Sequence, residues 1–204
     1  MKYTVLVIAM LITKTVTAEP VLSWETKDIK NREWTRITLA AVEKQFNKLD
    51  KAEDIEQFCP QYKTLDKEKK ITVWGELISA MAFYESGWRT NVELTEISLG
   101  TDQVTGMVVT SQGLLQLSYG DTKWATWCEF DWEADKKNVD NPTILRAKNN
   151  LECGIAILAN QVSKHKLITL SGKHAYWSVL KKDSKWKKID GISKMVKRLS
   201  YCNP

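Results

Sequence analysis

The sequence predicts a mainly helical α+β domain: helices around a core, one small β-hairpin or loop region, and disulfide staples. Three observations carry that expectation. Apolar residues recur at steps of three and four through several segments of a dozen residues or more, the spacing that gathers them on one helix face. Residues 92–111 break the rhythm, with Val92, Leu94, Ile97, Val104, Val108 and Val109 interleaved with Thr, Gly and Asp, as strands and turns require. Cys59, Cys128, Cys153 and Cys202 make an even set behind an export-like N-terminus, which favours two disulfides over metal ligands.

Taken in order, Lys2 precedes an apolar run, Thr4–Ile12, and then the small residues Val16-Thr17-Ala18. The run is too short to span a bilayer and fits a secretory signal peptide over 1–18, cleaved after Ala18. Residues 19–204 are then one domain, long enough for a proper core. A first helix is expected over about 33–50, through Ile37, Ala40, Ala41, Val42 and Phe46, then a Lys- and Asp-rich connector over roughly 60–70. A second helix, about 70–86, ends at Gly87, a natural C-cap residue. After the hairpin region comes a short element near 113–118, then an aromatic stretch with Trp124, Trp127, Phe130 and Trp132. Asn141-Pro142 has the residues that open a helix, expected to run to about 163, and a last helix is placed near 190–201.

The four cysteines allow three pairings. Cys128–Cys153 would pin a loop to the helix that follows, and Cys59–Cys202 would tie the start of the domain to its end; this is the favoured connectivity. There is no Cys-x-x-Cys pair, and His165 and His174 lack ligand-spaced partners, so no metal site and no cofactor is expected. The whole chain carries +5; without residues 1–18 the excess falls to +3. From Lys173 onward nine Lys/Arg face only Asp183 and Asp190. Such an end suits an anionic envelope polymer or membrane surface, or is simply a solvated helix face. Nothing marks a nucleic-acid module, and past residue 18 no stretch reaches the roughly 18 apolar residues of a spanning helix.

One residue of the second helix is out of place. Glu85, in Ala82-Phe-Tyr-Glu-Ser-Gly-Trp88, falls on the apolar stripe, about 20° from Trp74 on one side and from Ile78 on the other. A carboxylate there reaches water at a frayed helix end, pairs with a base such as Arg89, or is a general acid whose pKa is raised by desolvation. Downstream, residues 111–118 read Ser-Gln-Gly-Leu-Leu-Gln-Leu-Ser, and residues 150–158 read Asn-Leu-Glu-Cys-Gly-Ile-Ala-Ile-Leu. A helix ending Glu-Ser, a Gly-Leu-Leu-Gln segment and an Asn-x-x-x-Gly-x-x-x-Leu helix together resemble the lysozyme-like fold of soluble lytic transglycosylases and goose-type lysozymes. Leu115 stands where that family has methionine. His174-Ala-Tyr176-Trp177 is a weaker match, lacking the family's Asn and Gly.

The resemblance covers about residues 70–180 and implies a muralytic enzyme. It would cleave β-1,4 bonds between N-acetylmuramic acid and N-acetylglucosamine in peptidoglycan, as a secreted or periplasmic monomer. Glu85 would be the general acid/base. Ser86 would be its hydrogen-bonding neighbour, and Gln116 and Tyr176 would contact the sugar. Trp88, with Trp124 or Trp127, would offer a stacking platform. Gln116 read without the family is equally a buried amide satisfied by backbone. Transglycosylases need one carboxylate because the substrate's N-acetyl oxygen attacks, whereas most glycosidases use two. Glu93, Glu96, Asp102 and Asp121 are near enough to serve as a second, and Asp102 is the choice. The 28 positions from Glu85 to Gly113 are more than the transglycosylases use, and a de-N-acetylated glycan would force a second acid. The competing expectation is a non-catalytic glycan-binding or inhibitor protein on the same scaffold.

Overall fold

The computed structural model describes residues 20–203; the expected signal peptide, 1–18, lies outside the described residues. The element order is α1 (Ser23–Lys27), α2 (Arg32–Leu49), α3 (Lys67–Ser86), β1 (Glu93–Thr95), β2 (Thr110–Gln112), α4 (Trp132–Asp135), α5 (Ala147–His165) and α6 (Ile189–Val196), joined by short 3₁₀ turns. The protein is mainly helical with one small antiparallel sheet.

The helix α3 is the axis of the molecule. Asp66 caps its start by accepting from Lys69 N at 2.8 Å, satisfying one of the orphan donors of the first turn. Every residue from Thr72 to Ala82 is buried, so α3 is enclosed on all sides rather than along one stripe. The other helices do the enclosing: α2 packs on α3 and α5, and α1 and α6 pack on α3. Gly87, at φ +63, takes the left-handed conformation that ends the helix, and its N–H returns to Phe83 O at 2.9 Å. Trp74, fully buried, donates from Nε1 to the Tyr62 hydroxyl at 2.9 Å, which in turn donates to Asp50 at 2.8 Å.

The hairpin region folds as a hairpin with an irregular tip: Glu93, Leu94 and Thr95 pair with Gln112, Ser111 and Thr110. Both disulfides are present, Cys59–Cys202 across 143 positions and Cys128–Cys153 across 25. In the chain-entropy picture they stabilise the fold against the unfolded chain by about 5 and about 3.5 kcal/mol.

Two expected boundaries move. Pro142 does not open α5; it precedes a 3₁₀ turn, Thr143–Leu145, and the helix starts at Ala147. Tertiary partners claim that turn: Asp135 accepts from Thr143 N at 2.8 Å, and Asn150 donates to Ile144 O at 3.0 Å. The last helix stops at Val196, and a 3₁₀ turn, Ser200–Cys202, carries Cys202 back to Cys59. Among the described residues no helix is long and apolar enough to cross a membrane.

Candidate active site

Glu85 lies in the last turn of α3, half-buried where the helix ends. No described residue donates a hydrogen bond to its carboxylate. Arg89 spends its Nε on Ser86 O at 3.0 Å, so the simplest counter-charge is committed elsewhere. Burial, and then the negative charge of Glu96, push the Glu85 carboxyl from 4.5 up to about 8. An acid in that condition holds a proton at neutral pH and has no protein partner competing for it.

Glu96 follows β1. Its backbone N–H donates to Val109 O at 2.8 Å, and its carboxylate accepts from the Ser111 hydroxyl. The hairpin thus holds a second acid toward the helix end. Asp102, the residue expected as a possible second acid, has other partners. Asp102 is buried, and its carboxylate accepts from Val104 N (2.8 Å), Thr105 N (3.1 Å) and Gly120 N (2.7 Å). It closes a turn and ties that turn to the 119–123 segment, which leaves it fixed as a structural acceptor. The signal was present in Asp102-Gln-Val-Thr-Gly106: Asp at the head of such a stretch bonds its own backbone two residues on. Nothing in the sequence singled out Glu96 from the other acids of the segment.

Tyr176 joins the same cluster. Its hydroxyl donates to Asp121 Oδ2 at 2.5 Å. Burial, and then the charges of Asp121, Glu85 and Glu96, hold its pKa far above the usual value, so the phenol keeps its proton. Asp121 is itself raised by burial, against hydrogen bonds from Tyr176 and Ser118. Trp124 stands 6.1 Å from the Tyr176 ring and 6.3 Å, edge-on, from Trp127. Both tryptophans are exposed, and with Tyr176 they form an aromatic wall.

The remaining expected contact residues, Ser86, Gln116 and Trp88, each make hydrogen bonds within the fold. Ser86 is buried, donating to Ala82 O at 2.9 Å and accepting from Arg89 N. The Gln116 amide donates to Gly113 O at 2.9 Å and Val92 O at 3.1 Å, so both its N–H groups are used by backbone. Trp88 donates to Ser79 O at 2.8 Å and leans on Phe83. Trp88 (φ +59) and Gln116 (φ +50) are left-handed without being glycine, a strain that surrounding contacts must hold in place.

At Gln116 the hold comes from Asn150, which bonds the same turn. Fully buried, its amide accepts from Leu115 N (2.8 Å) and donates to Gln112 O and Ile144 O (3.0 Å each). Gly113 must lack a side chain, since a Cβ there would stand 2.5 Å from Asn150 Nδ2. One turn along α5, a Cβ on Gly154 would stand 2.5 Å from Leu115 Cδ1. The two glycines, Asn150 and Leu115 are therefore one device, locking the Gly-Leu-Leu-Gln turn onto α5.

No protein-family model matches the sequence, and no curated protein matches it. Solved structures do. Bd0314 DslA, a Bdellovibrio protein, matches in its wild-type form with a TM-score of 0.74 and 28% identity, covering 92% of this chain and 100% of the other. The likeness takes in nearly the whole molecule. Two variants of DslA, each with one glutamate changed to glutamine, match with TM-scores of 0.74 and 0.70 at 28% and 29% identity, over the same coverage. The two altered glutamates lie eleven positions apart in that chain.

Proposed function

We propose that this protein is an exported muralytic glycosidase of lysozyme-like type. It acts on the β-1,4 bond between N-acetylmuramic acid and N-acetylglucosamine in peptidoglycan, with Glu85 as general acid and Glu96 as the second carboxylate. The observation that carries the reading is Glu85 itself: a carboxyl raised to about 8, with no donor and no cation among the described residues, and with the charge of a second carboxylate acting on it. The DslA variants support it, because Glu85 and Glu96 are also eleven positions apart. The two disulfides suit an oxidising compartment, secreted or periplasmic.

In this mechanism Glu85 gives its proton to the glycosidic oxygen as the bond to the anomeric carbon breaks. The negative Glu96 stabilises the oxocarbenium-like centre or takes a proton from the attacking water. Tyr176, a phenol that keeps its proton, donates toward Asp121 and presents a ring edge to the sugar. A pair of carboxylates favours hydrolysis over the transglycosylase route, since water can be activated without the N-acetyl oxygen. The N-acetyl group is then dispensable for the chemistry.

Purified sacculi, native and de-N-acetylated, test this by mass spectrometry of released muropeptides. The expected products are reducing ends, from the de-N-acetylated material as well. Anhydro ends would replace hydrolysis with transglycosylation, and no release by folded protein would end the enzyme reading.

A further inference from the structure

A cavity of about 330 Å³ opens beside the aromatic wall. Trp124 and Tyr176 line it together with Lys164, His165, Lys173 and His174. Two separate segments supply the four basic residues: the end of α5 and the 3₁₀ turn Gly172–His174. The imidazoles of His165 and His174 stand 5.2 Å apart. Among the described residues no carboxylate lines the cavity, and neither lysine forms an ion pair.

Helix electrostatics explain half of this. Lys164 and His165 suit the negative end of α5, but Lys173 and His174 belong to no helix end and converge on the same space. Lys164 and Lys173, with two imidazoles alongside them and no acid of the described residues, offer an anion charge-assisted hydrogen bonds. Consistent with that uncompensated field, His165 is held below its usual pKa by desolvation and then by His174 and Lys164.

Resting on the muralytic reading, we infer that this cavity is a subsite for a carboxylate carried by the muramyl residue. The carboxylate belongs to the stem peptide, because the lactyl carboxyl is amide-bonded and uncharged while that peptide is attached. Tyr176 is shared between this cavity and the acid cluster, so occupancy sets where along the strand the scissile bond lies.

The test titrates histidine-labelled protein, followed by NMR, with three probes: a disaccharide–tetrapeptide, its amidase product carrying only the lactyl carboxylate, and the fully carboxyl-amidated tetrapeptide form. The ring signals of His165 and His174 shift with the first and not with the third; a shift with the second alone would overturn the stem-peptide assignment. Lys164→Glu combined with Lys173→Glu, checked for native circular dichroism, weakens binding of the first probe about tenfold. Equal shifts with the amidated probe, no shift with any probe, or unchanged affinity in the double variant overturns the inference. Sacculus digestion by the wild type is read separately, so a protein that digests walls but ignores carboxylates loses this inference and keeps its proposed function.

Discussion

Two glutamates on α3, nine positions apart, have been given opposite surroundings. Glu76 is almost fully buried in the middle of the helix, yet it is served: Ser23 donates from both its backbone N–H (2.9 Å) and its hydroxyl. Those bonds and the charge of Arg198 oppose the upward push of burial. Glu85 lies nearer solvent but receives no donor and faces the negative Glu96. The two candidates are separated by the supply of partners, which offsets burial at Glu76 and leaves it unopposed at Glu85. Glu76 stitches α1 to α3, and Glu85 is left with a proton that no described residue binds.

The comparison breaks most readily by mutation. Glu85→Gln should reduce turnover of sacculi by about 10²–10⁴-fold while raising stability. The sign follows from the proton balance. Between 4.5 and about 8 the folded protein holds a proton that the unfolded chain has released, so wild-type stability falls as pH rises through that window. Glutamine removes that loss, a gain on the order of 2 kcal/mol near pH 7.5, or about 4–8 °C in thermal midpoint. Asn150→Ala should come next, at about 3 kcal/mol, because three buried hydrogen bonds go with one amide; turnover falls with it as the locked turn loosens. Glu76→Ala inverts the Glu85 result: about 2–3 kcal/mol of stability is lost as Ser23 loses its acceptor, read as a lower urea midpoint, with turnover per folded molecule retained. The smallest effect belongs to Asp102→Asn, expected to keep turnover within a few-fold of wild type, since its oxygen can still accept from the turn. A collapse of activity there would return the second-acid role to Asp102.

How much of this was legible depends on what each residue answers to. The long helices and the hairpin follow from local periodicity, and the structure has them; of the three pairings the cysteines allow, it has the favoured one. The start of α5 was not legible from Asn141-Pro142, because Asp135 and Asn150 take over that turn from a distance. Glu85 could be picked out by its spacing, although the stripe it was measured against is buried all round. Gln116 and Ser86 matched a motif whose local role here is support, and Asp102 was mistaken for a free acid because its acceptor duties lie partly with Gly120, eighteen positions on. Glu96 depended on how the hairpin folds back, which pairing register decides and composition does not.

The central claim is that Glu85 keeps its proton at neutral pH because it is desolvated and faces Glu96. A carbon-13 NMR titration of the glutamate side-chain carboxyls measures this directly in the folded protein, without substrate. The Glu85 signal, assigned by its loss in Glu85→Gln, is expected to titrate near 8, and to move to lower pH in Glu96→Gln. A midpoint near 4.5 in the wild type would contradict the account.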